Sequence, residues 1–75
     1  MKTVKISLNS IDKVKSFVNV IGQFDSDFDL ISGRYVIDAK SIMGIFSLDL
    51  SQPIDLTIHS DDDAAILDAL KSYLA

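Results

Sequence analysis

The sequence predicts an α+β fold, an open-faced β-sandwich in which a four-stranded antiparallel sheet carries its helices on one face. Three observations predict it. Apolar residues alternate with polar ones in four short segments and recur at helical spacing in three others. These segments follow one another as β-α-β-β-α-β-α, with no repeat, linker or low-complexity stretch. Amphipathic strands wet one face and bury the other, so the helices belong on the buried side.

Val4, Ile6 and Leu8 alternate with Lys5 and Ser7, the period-2 pattern of a half-buried strand. Asn9 or Ser10 then offers an N-cap, and Ile11, Val14, Phe17, Val18 and Ile21 fall at helical spacing before the stop signal Gly22. Phe28 and Leu30 alternate with Asp27, Asp29 and Ile31 as a second strand. Ser32-Gly33-Arg34 reads as a hairpin turn into a third strand around Tyr35 to Asp38. A short helix is expected from Ser41 to about Leu48, and Gln52-Pro53 breaks the chain after it. Ile54, Leu56 and Ile58 alternate with Asp55, Thr57 and His59 as the fourth strand. Ile66, Leu67, Leu70, Tyr73 and Leu74 give the last helix its apolar stripe. Ser60 with Asp63 resembles a capping box, and the acids Asp61, Asp62 and Asp63 suit the positive end of the helix dipole.

Seventy-five residues are read as one domain, 1–75. A domain of this size buries only about 60% of its unfolded surface, so its core is thin. With 48% hydrophobic and 24% charged residues, the chain is globular rather than disordered. It has no cysteine, which excludes a disulfide framework and a Cys-based zinc site and favours the cytoplasm. The first residues lack the continuous apolar run of a signal peptide, and no segment approaches the length of a membrane span. Seven basic residues against eleven acidic ones, all aspartates, give a net charge of -4, which argues against direct nucleic-acid binding.

His59 is the only histidine and the first residue to weigh for acid-base or nucleophilic work. Alternation places it on the wet face, opposite Ile58, where an idle histidine is the expected reading. Asp25-Ser26-Asp27-Phe28-Asp29 opens like a calcium loop, but Leu30 stands where the turn needs glycine and Val36 where a bidentate glutamate belongs. No metal site is therefore expected there or at Asp61 to Asp63. Ser10 and Ser41 both sit where a helix begins and where plain capping would explain them. A phosphate on Ser41 would lie at the positive end of the dipole, next to Lys40, and would stabilise the helix.

The short helix is richer in large apolar residues than one buried stripe requires. If Ile45 and Leu48 face the sheet, then Ile42, Met43 and Phe46 cannot all join them. An exposed cluster with Met and Phe suits protein docking, since Met adapts its shape and Phe supplies contact area. Gly44, in its midst, would let a partner approach the backbone.

Lys40-Ser41-Ile42-Met43-Gly44-x-x-Ser47-Leu48 resembles the regulatory-serine motif of the HPr family, the small phosphocarriers of the bacterial sugar phosphotransferase system. The order of elements is similar to that family over nearly the whole chain. The family carries phosphate on a histidine in a Gly-x-His-Ala-Arg-Pro-like segment between the first strand and the first helix. Here that place reads Leu8-Asn9-Ser10-Ile11-Asp12-Lys13, about three residues shorter, with Ser10 where the histidine would be. A serine hydroxyl without a base is a poor nucleophile, its phosphate ester does not transfer readily, and no arginine is at hand to grip the phosphate. The departure argues against a phosphocarrier of the usual kind.

The second site of the family is present. The resemblance implies Ser41 as the acceptor of a regulatory phosphate from ATP, with Lys40, Ile42, Met43 and Phe46 docking partners. Those partners would be an HPr kinase, enzymes of the phosphotransferase system or a catabolite-control regulator. Phe46 stands where methionine is common. The pattern is similar to that of the catabolite-repression paralogue of HPr, and it implies no cofactor. A carrier using Ser10 or His59, and an interaction module that is never phosphorylated, stand as the alternatives.

Overall fold

The computed structural model describes residues 2–60 and 63–75, arranged as β-α-β-β-α-β-α with a short final 3-10 turn. Strands β1 (Lys2–Ile6), β2 (Asp27–Ser32), β3 (Tyr35–Asp38) and β4 (Ile54–His59) form one antiparallel sheet in the order β1-β4-β2-β3. Helix α1 (Ile11–Ile21) follows β1, α2 (Ile42–Phe46) follows β3, and α3 (Ala64–Ala69) follows β4.

The period-2 pattern does what it predicts. Ile6, Phe28, Leu30, Ile54, Leu56 and Ile58 point to the helix side, where they join Val14, Phe17 and Ile21 of α1 and Ile45 of α2 in one buried cluster. At about 25 cal/mol per Å² of apolar surface removed from water, this cluster is the main stabilising term. The opposite face stays open. Its cross-strand rows run Thr3–Thr57–Asp29–Asp38 and Lys5–Asp55–Ile31–Val36. The Lys5 ammonium donates to Asp55 at 3.1 Å on this face, and the Thr3 and Thr57 hydroxyls meet at 3.1 Å.

Each connection has a local cause. Ser10 caps α1, its Oγ accepting from the Lys13 N–H at 3.1 Å, and the Gly22 N–H closes the helix on the Val18 carbonyl at 2.9 Å. The β2–β3 hairpin turns through Gly33 and Arg34. Gly33 takes φ 61°, and it is the only positive φ among the described residues, as in a II′ turn with glycine first.

Several sequence expectations are corrected. β1 ends at Ile6, although Leu8 beyond it is fully buried. Ile11, placed on the inner stripe by spacing, is exposed, because α1 meets the core only from Val14 onward. Helix α2 stops at Phe46 instead of Leu48, where the Ser47 N–H and hydroxyl both donate to the Gly44 carbonyl at 3.1 and 2.6 Å. Where Ser60 was expected to begin the last helix, α3 begins at Ala64 with Asp63 as N-cap, and the Asp63 side chain makes no capping bond. Asp61 and Asp62 lie outside the described residues. The last helix does not run through to Leu74. It gives way at Leu70 to a 3-10 turn, Lys71–Tyr73, after which Leu74 extends to bridge Ile6. The chain thereby lies along the free edge of β1, with Ser7 N–H on the Tyr73 carbonyl at 2.8 Å and Ala75 N–H on the Lys5 carbonyl at 3.0 Å.

Candidate functional site

The Asp38–Ser41 segment is shaped by Asp38. Its Oδ1 accepts from the Lys40 N–H at 2.9 Å and its carbonyl accepts from the Ser41 N–H at 3.0 Å, turning the chain out of β3. Between them Ala39 stays in the ladder, its N–H on the Phe28 carbonyl at 2.9 Å. Ser41 emerges as the exposed N-cap of α2, with its Oγ 3.4 Å from the Gly44 N–H.

Lys40, expected beside a phosphate on Ser41, is committed elsewhere. Its ammonium donates to the Phe24 carbonyl at 2.8 Å and lies 5.5 Å over the Phe28 ring. Both contacts come from residues distant in sequence, and no local signal announces them.

Helix α2 divides its apolar residues as a single-stripe helix must. Ile45 is fully buried, Ile42 is half-buried against the core, and Met43 and Phe46 are 78% and 40% exposed. The apolar surface offered to solvent is therefore Met43 and Phe46, with Ile42 beneath. Gly44 serves the interior: a Cβ there would stand 3.3 Å from Ile37 Cδ1 and 3.3 Å from Ser41 Oγ. A glycine lets α2 sit closely on β3.

Ser10 is exposed at the opposite junction, where β1 leaves the sheet for α1. The chain's only arginine, Arg34, lies in the β2–β3 turn. His59 is not brought to Ser10. Ile6, from which the chain runs to Ser10, pairs with Ile54 at the start of β4, whereas His59 is at the far end of that strand, beside Asp27. His59 is exposed on the open face, where its Nε2 lies 2.7 Å from Asp29 Oδ2. Sequence reasoning missed this pair, because it depends on the register of β2 against β4.

Asp27 and Asp29 lie on the open face of β2, and no three His, Asp, Glu or Cys side chains among the described residues come together to hold a metal ion. None of the described helices is long and apolar enough to cross a membrane.

The chain matches the family model described as the PTS HPr component phosphorylation site over residues 13–75, a match that begins beyond Ser10. Among solved structures it is similar to HPr-C-His from Thermoanaerobacter tengcongensis, at 30% identity and a TM-score of 0.79, with 96% of this chain and 89% of that one covered. It is also similar to the phosphocarrier protein HPr from Bacillus anthracis str. Ames, at 30% identity and a TM-score of 0.73, covering 99% and 94%. The histidine-containing phosphocarrier protein of Mycoplasma shares the fold, with a TM-score of 0.71 at 17% identity over 95% and 86%. The order of elements, the antiparallel sheet with its helices and the match over most of the chain lead to one conclusion: this chain belongs to the HPr family of the phosphotransferase system.

Proposed function

We propose that this chain is a regulatory HPr-like protein of the bacterial, cytoplasmic sugar phosphotransferase system. In this reading it works through serine phosphorylation and protein docking, not as a histidine phosphocarrier. The observation that carries the reading is the place of His59. The only histidine is on the open sheet face, held to Asp29, at the end of β4 away from the β1–α1 junction. That junction presents Ser10, whose hydroxyl is engaged in capping.

Ser41 would receive the γ-phosphoryl group of ATP on its Oγ from an HPr kinase, with loss of the hydroxyl proton. Its exposure and the neighbouring Met43 and Phe46 support the assignment. Those two side chains, with Ile42 beneath and Lys40 alongside, would dock the kinase, phosphotransferase enzymes or a catabolite-control regulator. Lys40 then contributes mainly by holding the segment in shape, since its ammonium is engaged by Phe24 and Phe28.

Intact-mass measurement after incubation with ATP and an HPr kinase tests the reading. One added phosphate that maps to Ser41 and is absent in Ser41→Ala is expected. In parallel, phosphoenolpyruvate with the first phosphotransferase enzyme should add nothing. Acid-labile phosphate on His59, or phosphate on Ser10, would establish the carrier instead. No modification by either donor, with binding lost in Phe46→Ala but kept in Ser41→Ala, would establish the unphosphorylated interaction module.

A further inference from the structure

Two side chains beside α2 are explained by nothing within the fold. Arg34, in the β2–β3 turn, makes no ion pair or side-chain hydrogen bond among the described residues. Tyr35, the next residue, is 70% exposed, and neither its hydroxyl nor its ring has a partner there. Folding gains little from either, yet tyrosine and arginine are among the residue types that most often anchor a protein interface.

The register places the pair at the end of α2. Tyr35 pairs with Ser32 and Ile37 with Leu30, so the two side chains share the helix side of β3. Ile37 lies beneath Gly44, where an added Cβ would stand 3.3 Å from its Cδ1. Two residues nearer the turn, Tyr35 emerges beside the C-terminal end of α2. There it lines a cleft with Arg34, Ser47 and Leu48, the last two following exposed Phe46 in the chain. The apolar surface of Met43 and Phe46 is thereby carried on to Leu48 and Tyr35, with the Arg34 guanidinium at its rim. Asp49 shares the cleft without answering that charge. It makes no ion pair with Arg34, and its Oδ1 accepts from the Ser51 N–H and hydroxyl at 3.1 and 2.6 Å.

We propose that this cleft is the specificity end of the α2 docking surface, and that the kinase acting on Ser41 seats there an apolar side chain flanked by a carboxylate. The inference rests on the reading of Ser41 as a kinase substrate. Charge identifies the occupant: Lys40 is engaged by Phe24 and Phe28, whereas Arg34 is uncommitted. A guanidinium meets a carboxylate through two parallel bonds, and Tyr35 with Leu48 gives the neighbouring apolar group a place to be buried. The length of β3 sets Arg34 roughly 15–20 Å from Ser41. That lies inside an interface of about 800 Å² per partner but out of reach of the transferring phosphoryl group.

Steady-state phosphorylation of the full chain by an HPr kinase with ATP, with the product mapped to Ser41, tests the proposal. Arg34→Glu should raise KM about tenfold at unchanged kcat, and added salt should narrow the gap to wild type. Tyr35→Ala should raise KM several-fold. Arg34→Lys, which keeps the charge without the fork, should fall between wild type and Arg34→Glu. Val36→Thr, on the open face, should behave as wild type. Both cleft residues are exposed, so the thermal midpoints of all variants should stay near that of the wild type, which separates a lost contact from a lost fold. An Arg34→Glu protein that keeps the wild-type KM overturns the proposal while leaving Ser41 as the acceptor. A lowered kcat at unchanged KM also overturns it, because the residue would then act on the transfer step instead of on docking. A wild type that gains no phosphate on Ser41 defeats the reading itself, and the proposed occupant with it.

Discussion

The Lys40 ammonium lies over the Phe28 ring, 5.5 Å from its centroid, while donating to the Phe24 carbonyl. The lysine that precedes Ser41 is thus a clamp between the β3–α2 turn and the chain entering β2. A charge-assisted bond and a cation–π contact at a half-buried site together stabilise by about 1 kcal/mol. Lys40→Met should lose about that much by urea denaturation with an unchanged m-value.

His59 and Asp29 form a second pair, on the open face, where Asp29 also opposes Asp38. His59→Ala should destabilise by about 0.5 kcal/mol, because Asp29 loses its side-chain partner, and added salt should shrink the effect. If the partnership with Asp29 is the cause, His59→Ala in an Asp29→Asn background should cost almost nothing. Thermal unfolding of the four proteins at low and high salt measures the cycle.

Phe17 is fully buried, and its ring meets Tyr73 edge-on at 5.8 Å. Removing a buried aromatic ring costs about 3–5 kcal/mol, comparable to the whole stability of a small domain. Phe17→Ala should therefore abolish the cooperative thermal transition. Exposed Met43→Ala, by contrast, should leave the midpoint nearly unchanged.

The Ser51 hydroxyl and then its N–H, both donating to Asp49, hold that carboxyl below the ordinary aspartate value of 3.8. A lowered folded pKa adds stability that is fully present above the ordinary value and is lost as pH falls through the folded one. An NMR titration should find Asp49 with a midpoint under 3.8. Ser51→Ala should move it back up.

The strands were legible because Phe28, Leu30, Ile54, Leu56 and Ile58 obey a two-residue period that only a one-sided sheet explains. Ser41 as an N-cap was equally plain, since capping is a local matter, whereas the choice between Asn9 and Ser10 for α1 fell to Ser10 only in the structure. What could not be read involved partners set by tertiary register. His59 finds Asp29 diagonally across two strands, and Lys40 finds a carbonyl sixteen residues back. The break at Leu70 was hidden for the same reason: the helical stripe continues to Leu74, but Ile6 claims that residue for a bridge. At the candidate site, the crowding of α2 was visible, whereas the sinking of Ile42 and the use of Gly44 against Ile37 needed the packed structure.

The strand order fixes how the molecule assembles itself. β2 and β3 are joined by two residues and can close as a hairpin within about ten microseconds. β1 must wait, because its neighbour is β4, and Thr3 meets Thr57 across 54 residues of chain. High contact order of this kind slows folding and leaves β1 the last strand to dock. β1 then docks after the rate-limiting step, and substitutions along β1 should act mainly on unfolding.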